Sequence, residues 1–123
     1  MLIVDTHVAL WFLRGDRRLS RTARNLIEDQ DLDRRLSAVS VWEVAVKSGL
    51  GKLKVAKGFH RPLYEQGLSA LPVFDTHALL VRDLPAHHRD PFDRLLVAQA
   101  QAEGMSILSK DEQLRRYDVN VVW

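Results

Sequence analysis

The chain has 123 residues, with 18 Lys and Arg against 16 Asp and Glu, and this length suits one compact domain over residues 1–123. It contains no cysteine, which excludes a disulfide framework, thiolate zinc sites and a cysteine nucleophile. No apolar run approaches the roughly 18 residues of a membrane span, and the opening Met1-Leu2-Ile3-Val4-Asp5 lacks the basic start of a secretory leader, so a cytoplasmic protein without a membrane partner is expected.

Leu2 to Val4 is an apolar, β-branched run that reads as a strand ending at Asp5. Val8, Leu10, Trp11 and Leu13 follow at helical spacing up to Gly15. Ser20 is placed to cap a second helix running to about Asp29, with Ala23, Leu26 and Ile27 on its inner face. Leu36 to Val39 reads as the second strand and Ser40 to Ser48 as a third helix, stopped by Gly49 and Gly51. A fourth helix is expected from Phe59 to Gly67 around Pro62, then a strand from Leu71 to Phe74 and a short helix from Asp75 to Asp83. Pro91 to Glu103 reads as a longer helix, Ser106 to Ser109 as the fourth strand, and Val119 to Val122 as the fifth after a brief helical turn. Alternation with short connections predicts an α/β fold, a three-layer α/β/α sandwich around a central, mainly parallel, five-stranded sheet.

In such a sheet, ligands bind outside the carboxyl ends of the strands. Four acids fall there: Asp5 after the first strand, Glu43 in the first turn of the helix after the second, Asp93 opening the helix before the fourth, and Asp111 after the fourth. Each has a local alternative. Ser40-Val41-Trp42-Glu43 has capping-box spacing, Asp90-Pro91-Phe92-Asp93 is a cap followed by proline at the first helical position, and Asp5 and Asp111 are placed to cap their own helices. Asp93 nevertheless lies on the stripe of Leu96, Val97 and Ala100, which directs its carboxylate toward the sheet. Carboxylates gathered at one rim repel and some must stay protonated unless a cation neutralises them. Hard oxygen donors favour Mg²⁺, with Mn²⁺ as a substitute, and such ions retain waters that can be activated against a phosphodiester.

These residues resemble those of the PIN-domain family, specifically VapC-type ribonuclease toxins of toxin–antitoxin pairs. The resemblance is carried by Leu2-Ile3-Val4-Asp5-Thr6-His7, by Ser40 to Lys47, by Gly51-Lys52-Leu53, by Asp83-Leu84-Pro85, by His87 to Ala100, by Ser109-Lys110-Asp111 and by the closing Val121-Val122-Trp123. It implies a metal-dependent endoribonuclease with an RNA substrate, a cognate VapB-like antitoxin, a homodimer, and Asp5, Glu43, Asp93 and Asp111 as catalytic and metal-holding residues. Asp90 is an additional acid at this helix start, read as a cap or a supporting group, with Asp93 preferred as the ligand.

Lys47, Lys52, Lys54, Lys57 and Arg61 form a run free of acids that could hold RNA phosphates or simply face solvent. Arg17, Arg18, Arg21 and Arg24 form a second basic set with the same two readings. Adjacent His87 and His88 are placed at the rim rather than on an ion, Trp11, Phe12 and Trp42 are expected in the core, and Thr6 and Ser109 are candidate hydroxyls near the acids. The rival function is a receiver-like, Mg²⁺-binding signalling module without nuclease activity, with Asp75 as phosphoacceptor and Lys110 beside the last acid. That reading leaves Glu43 and Asp93 without a task.

Overall fold

The computed structural model describes residues 1–123. Five strands, β1 (Leu2–Val4), β2 (Arg34–Ser37), β3 (Ser69–Leu71), β4 (Ser106–Leu108) and β5 (Val121–Val122), form one sheet in the order β3-β2-β1-β4-β5, and every pairing is parallel. Six helices accompany them: α1 (Thr6–Arg14), α2 (Arg21–Glu28), α3 (Ala38–Gly49), α4 (Arg61–Glu65), α5 (Asp75–Leu80) and α6 (Pro91–Glu103). The expected three-layer α/β/α sandwich is observed.

Strand alternation divides the core. Ile3 of β1 packs with Leu96, Val97 and Ala100 of α6 and Ile107 of β4, whereas Leu2 and Val4 turn to the other face with Val8 of α1, Ile27 of α2 and Leu63 of α4. The middle strand is therefore apolar at every position, as a sheet covered on both faces requires.

Helix boundaries follow capping chemistry. Ser20 caps α2 as expected, accepting the Ala23 N–H at 3.0 Å, and Asp90 caps α6, accepting from Phe92 and Asp93 at 2.8 and 3.3 Å. The second strand and third helix start earlier than the sequence suggests. β2 ends at Ser37, whose hydroxyl oxygen accepts the Val39 N–H at 3.0 Å and starts α3 there. Ser40 is thus not a cap but a buried residue of α3, and Glu43 lies in the second helical turn. At its other end β2 begins with Arg34, which the apolar pattern excluded from the strand. Its guanidinium is buried because it donates to the carbonyls of Ile27, Leu32 and Gln66, closing the C-terminal end of α2. β3 likewise lies at Ser69–Leu71 rather than Leu71 to Phe74, since Pro72 has no N–H to continue the ladder. The remaining differences trim element ends: α4 and β5 are shorter than expected, and the end of the Asp75 helix tightens into a 3₁₀ turn over Val81–Asp83.

Gly67 sits beside the buried arginine at φ 111°, and a β-carbon there would lie 2.5 Å from the Arg34 guanidinium. Gly67→Ala is therefore expected to destabilise the fold by about 1–3 kcal/mol, from backbone strain and displacement of Arg34. Denaturant unfolding measures this, and an unchanged midpoint would contradict the account of β2.

Candidate metal centre

The four acids converge because of the sheet order. β1 and β4 are neighbours, so the residues leaving them emerge side by side, and the Ser109 hydroxyl donates to Asp5 Oδ2 at 2.8 Å. The same hydroxyl oxygen accepts the Asp111 N–H at 3.0 Å, turning the chain so that Asp111 follows Asp5 at the rim. Thr6 donates to Ser40 Oγ at 2.8 Å and ties α1 to α3, and Glu43, three residues after Ser40, shares that helix face. Asp93 enters from the first turn of α6, which is tied to β2 further along by the Ser37 hydroxyl bonding Gln99.

Burial grades across the cluster. Asp5 and Glu43 are 5% and 1% exposed, and the side chains of Asp93 and Asp111 are 14% and 35% exposed. Burial pushes the Asp93 carboxyl up to about 8, reinforced by the negative field of Asp5, Asp90, Glu43 and Asp111. Burial also raises Asp5, and the Ser109 hydrogen bond only partly opposes it. Lys47 stands four residues from Glu43 with its Nζ 2.5 Å from Oε2. Burial disfavours its charge, but the bond to Glu43 and the field of Glu43, Asp90 and Asp93 outweigh that and hold the ammonium form.

Two carboxylate oxygens in this cluster, Asp5 Oδ1 and Glu43 Oε1, are buried with no hydrogen-bond partner. An orphaned carboxylate oxygen is costly in a protein interior, and a hard cation is the partner that satisfies several at once. The residues present fit a divalent ion of the Mg²⁺ class. Asp5, Glu43, Asp93 and Asp111 are the candidate holders, although Asp111 Oδ1 accepts the Gln113 N–H, and Asp90 caps α6 through Oδ1.

Several side chains stand elsewhere than expected. His88 lies within the cluster, its Nε2 being 3.0 Å from Asp93 Oδ2 and 3.2 Å from Asp111 Oδ2, whereas His87 packs edge-on against Tyr117. No periodicity signals this, because a loop delivers the ring. Lys47 belongs to the acids rather than to a solvated basic run, and its i,i+4 spacing from Glu43 was the available signal. Thr6 bonds Ser40 and not a carboxylate, so of the two hydroxyls only Ser109 serves an acid directly. Trp42 is 53% exposed and packs edge-on against Phe92, outside the core where it was expected. Asp75 is exposed beyond the edge strand β3, away from the four acids, which removes the phosphoacceptor that the receiver reading needs.

The PIN domain model matches residues 2–120. The chain belongs to the PIN domain family. Among curated proteins, this PIN domain is 28% identical over 119 residues to Ribonuclease VapC22 of Mycobacterium tuberculosis, covering 94% of this chain and 91% of the relative. Among solved structures it superposes with a TM-score of 0.71 on VapBC2 from Rickettsia felis bound to a promoter DNA fragment, at 12% identity over 99% of this chain and 98% of that one. FitAcB from Neisseria gonorrhoeae gives a TM-score of 0.67 at 18% identity, covering 100% and 97% of the two chains. These two likenesses establish the fold of the PIN domain.

The raised Asp93 carboxyl has a measurable sign. Between its ordinary value near 3.8 and its folded value of about 8, the folded state holds a proton that the unfolded state has lost. In chelator, stability should therefore fall as pH rises across this window, and Asp93→Asn should flatten the decline and melt above wild type at pH 8. Thermal melts of both proteins against pH test this, and a wild-type melting temperature that stays level from pH 5 to 8 would contradict it.

Proposed function

We propose that residues 1–123 act as one PIN-type nuclease domain, a Mg²⁺-dependent endoribonuclease that serves as the toxin of a toxin–antitoxin pair. The observation that carries the reading is the pair of buried, unpartnered carboxylate oxygens on Asp5 and Glu43, set among further acids at the carboxyl edge of a PIN-family sheet. Asp5, Glu43, Asp93 and Asp111 would hold the ion, for which Mn²⁺ would substitute. When bound, a divalent cation lowers the pKa of water and offsets the charge that develops on a phosphodiester under attack.

The chain's own groups prepare the rest. Ser109 fixes Asp5 through Oδ2 and Lys47 fixes Glu43 through Oε2, so that each acid keeps its other oxygen free. Beside Glu43 runs a groove of about 380 Å³ whose walls include Arg14, Lys52 and Trp11, together with Arg18 paired to Asp16 and Lys47 paired to Glu43. Cations along a groove that ends at a carboxylate cluster suit a polyanionic strand, whose backbone they draw in while the acids receive one phosphate. An RNA substrate is supported by this groove and by the ribonuclease relative. An antitoxin partner is supported by the likeness to VapBC2 and FitAcB and by the resemblance to VapC-type toxins. A second copy of the chain is proposed for the apolar hollow of about 560 Å³ walled by Val41, Trp42, Ala45, Tyr64 and Leu71. No helix is long and apolar enough to cross a membrane, and a cytoplasmic site of action is part of the proposal, consistent with an RNA substrate.

The purified, antitoxin-free chain should cleave structured RNA in Mg²⁺ or Mn²⁺ and stop in EDTA. Asp93→Asn should abolish cleavage with the fold intact, whereas Asp90→Asn should retain most of it because asparagine caps a helix as well as aspartate does. Full activity in EDTA, or an active Asp93→Asn beside an inactive Asp90→Asn, would overturn the assignment.

A further inference from the structure

His88 is held at three points. Its backbone N–H donates to the Tyr117 hydroxyl at 2.9 Å, its Nδ1 accepts the Asp90 N–H at 3.1 Å, and its Nε2 faces Asp93 and Asp111. A ring nitrogen that accepts a hydrogen bond carries no proton, so the ring proton sits on Nε2. There it donates to Asp111 Oδ2 at 3.2 Å while lying 3.0 Å from Asp93 Oδ2. The ligand atoms of His88, Asp93 and Asp111 all fall within 4.8 Å of one another, a spacing that invites a metal reading for all three. With one nitrogen accepting and the other protonated, however, the imidazole offers no lone pair to an ion.

We infer that His88 is a positioning residue, which sets the spacing of Asp93 and Asp111 by placing an N–H between their carboxylates, and is not itself a ligand. Two carboxylates this close repel, and Asp111, 35% exposed on the segment after β4 and otherwise tied only at Oδ1 by the Gln113 N–H, would relieve the repulsion by turning Oδ2 to water. The Nε2–H opposes that turn. Its own aim is fixed by Asp90, whose carboxylate also accepts the Asp93 N–H, so one cap orients both the ring and the start of α6. A partner that aims a ligand through a hydrogen bond changes the affinity for the ion without touching it.

This inference rests on the metal-dependent reading, and two substitutions separate its parts. Asn at position 88 can still accept the Asp90 N–H but cannot reach the carboxylates, whereas Gln places an amide N–H near the position of Nε2. Calorimetric titration of the full chain with Mn²⁺ should show His88→Asn binding about tenfold to a hundredfold more weakly than wild type, with His88→Gln recovering most of the loss. In cleavage assays the Mn²⁺ concentration for half-maximal rate should rise in His88→Asn, with KM for RNA unchanged. Equal or tighter Mn²⁺ binding by His88→Asn, equal weakness of both variants, or loss of a cooperative melt in both would overturn the inference. A wild-type chain that binds no Mn²⁺ would overturn it together with the metal reading, so the two failures are distinguishable.

Discussion

Negative charge gathered and buried at the carboxyl edge of the sheet is the constraint on which the rest of this structure depends. Asp5 and Glu43 are almost wholly withdrawn from water, and burial, with its acidic neighbours, pushes the Asp93 carboxyl up to about 8. The chain relieves this only in part. Ser109 serves Asp5 Oδ2, Lys47 serves Glu43 Oε2, the Gln113 N–H serves Asp111 Oδ1 and His88 serves Asp111 Oδ2. The donors thus engage both oxygens of Asp111 but only one each of Asp5 and Glu43, and Asp5 Oδ1 and Glu43 Oε1 remain without a partner. A folded state that keeps such groups unsatisfied sacrifices stability at this edge of the sheet.

The scaffold makes this concentration possible. A parallel sheet sends successive strands out at one edge, and the order β3-β2-β1-β4-β5 sets the exits of β1 and β4 together. The polar contacts between α1 and α3 and between β2 and α6, Thr6 to Ser40 and Ser37 to Gln99, are buried and paired. They set where Glu43 and Asp93 stand, and an apolar contact of similar size would not fix their direction as closely.

Much of this was legible in the sequence where local chemistry and tertiary role coincide. Leu2-Ile3-Val4-Asp5 reads as a buried strand ending in an acid because it is one, and Asp90-Pro91 announces the start of α6 through capping and proline geometry alone. The register of β2 was not legible, since Arg34 looks like loop and earns its place only by closing the end of α2, a segment the apolar pattern does not connect to it. Ser37 and Ser40 are both plausible caps by composition, and only the packing of α1 against α3 assigns Ser40 to the interior. His88 was illegible for the same reason. Its role depends on a loop returning to acids at positions 93 and 111, and no spacing rule for a helix or strand encodes that meeting.

The claim that the buried carboxylates await a cation is tested most directly by thermal melts of the wild type and Asp5→Asn at pH 8, in chelator and in Mn²⁺. In chelator Asp5→Asn should melt above wild type, because it removes a carboxyl whose charged form burial disfavours, while its amide oxygen can still accept from Ser109. In Mn²⁺ the wild type should rise in melting temperature and the variant should shift far less. A wild type indifferent to Mn²⁺, or an Asp5→Asn variant that melts below wild type in chelator, would contradict the account.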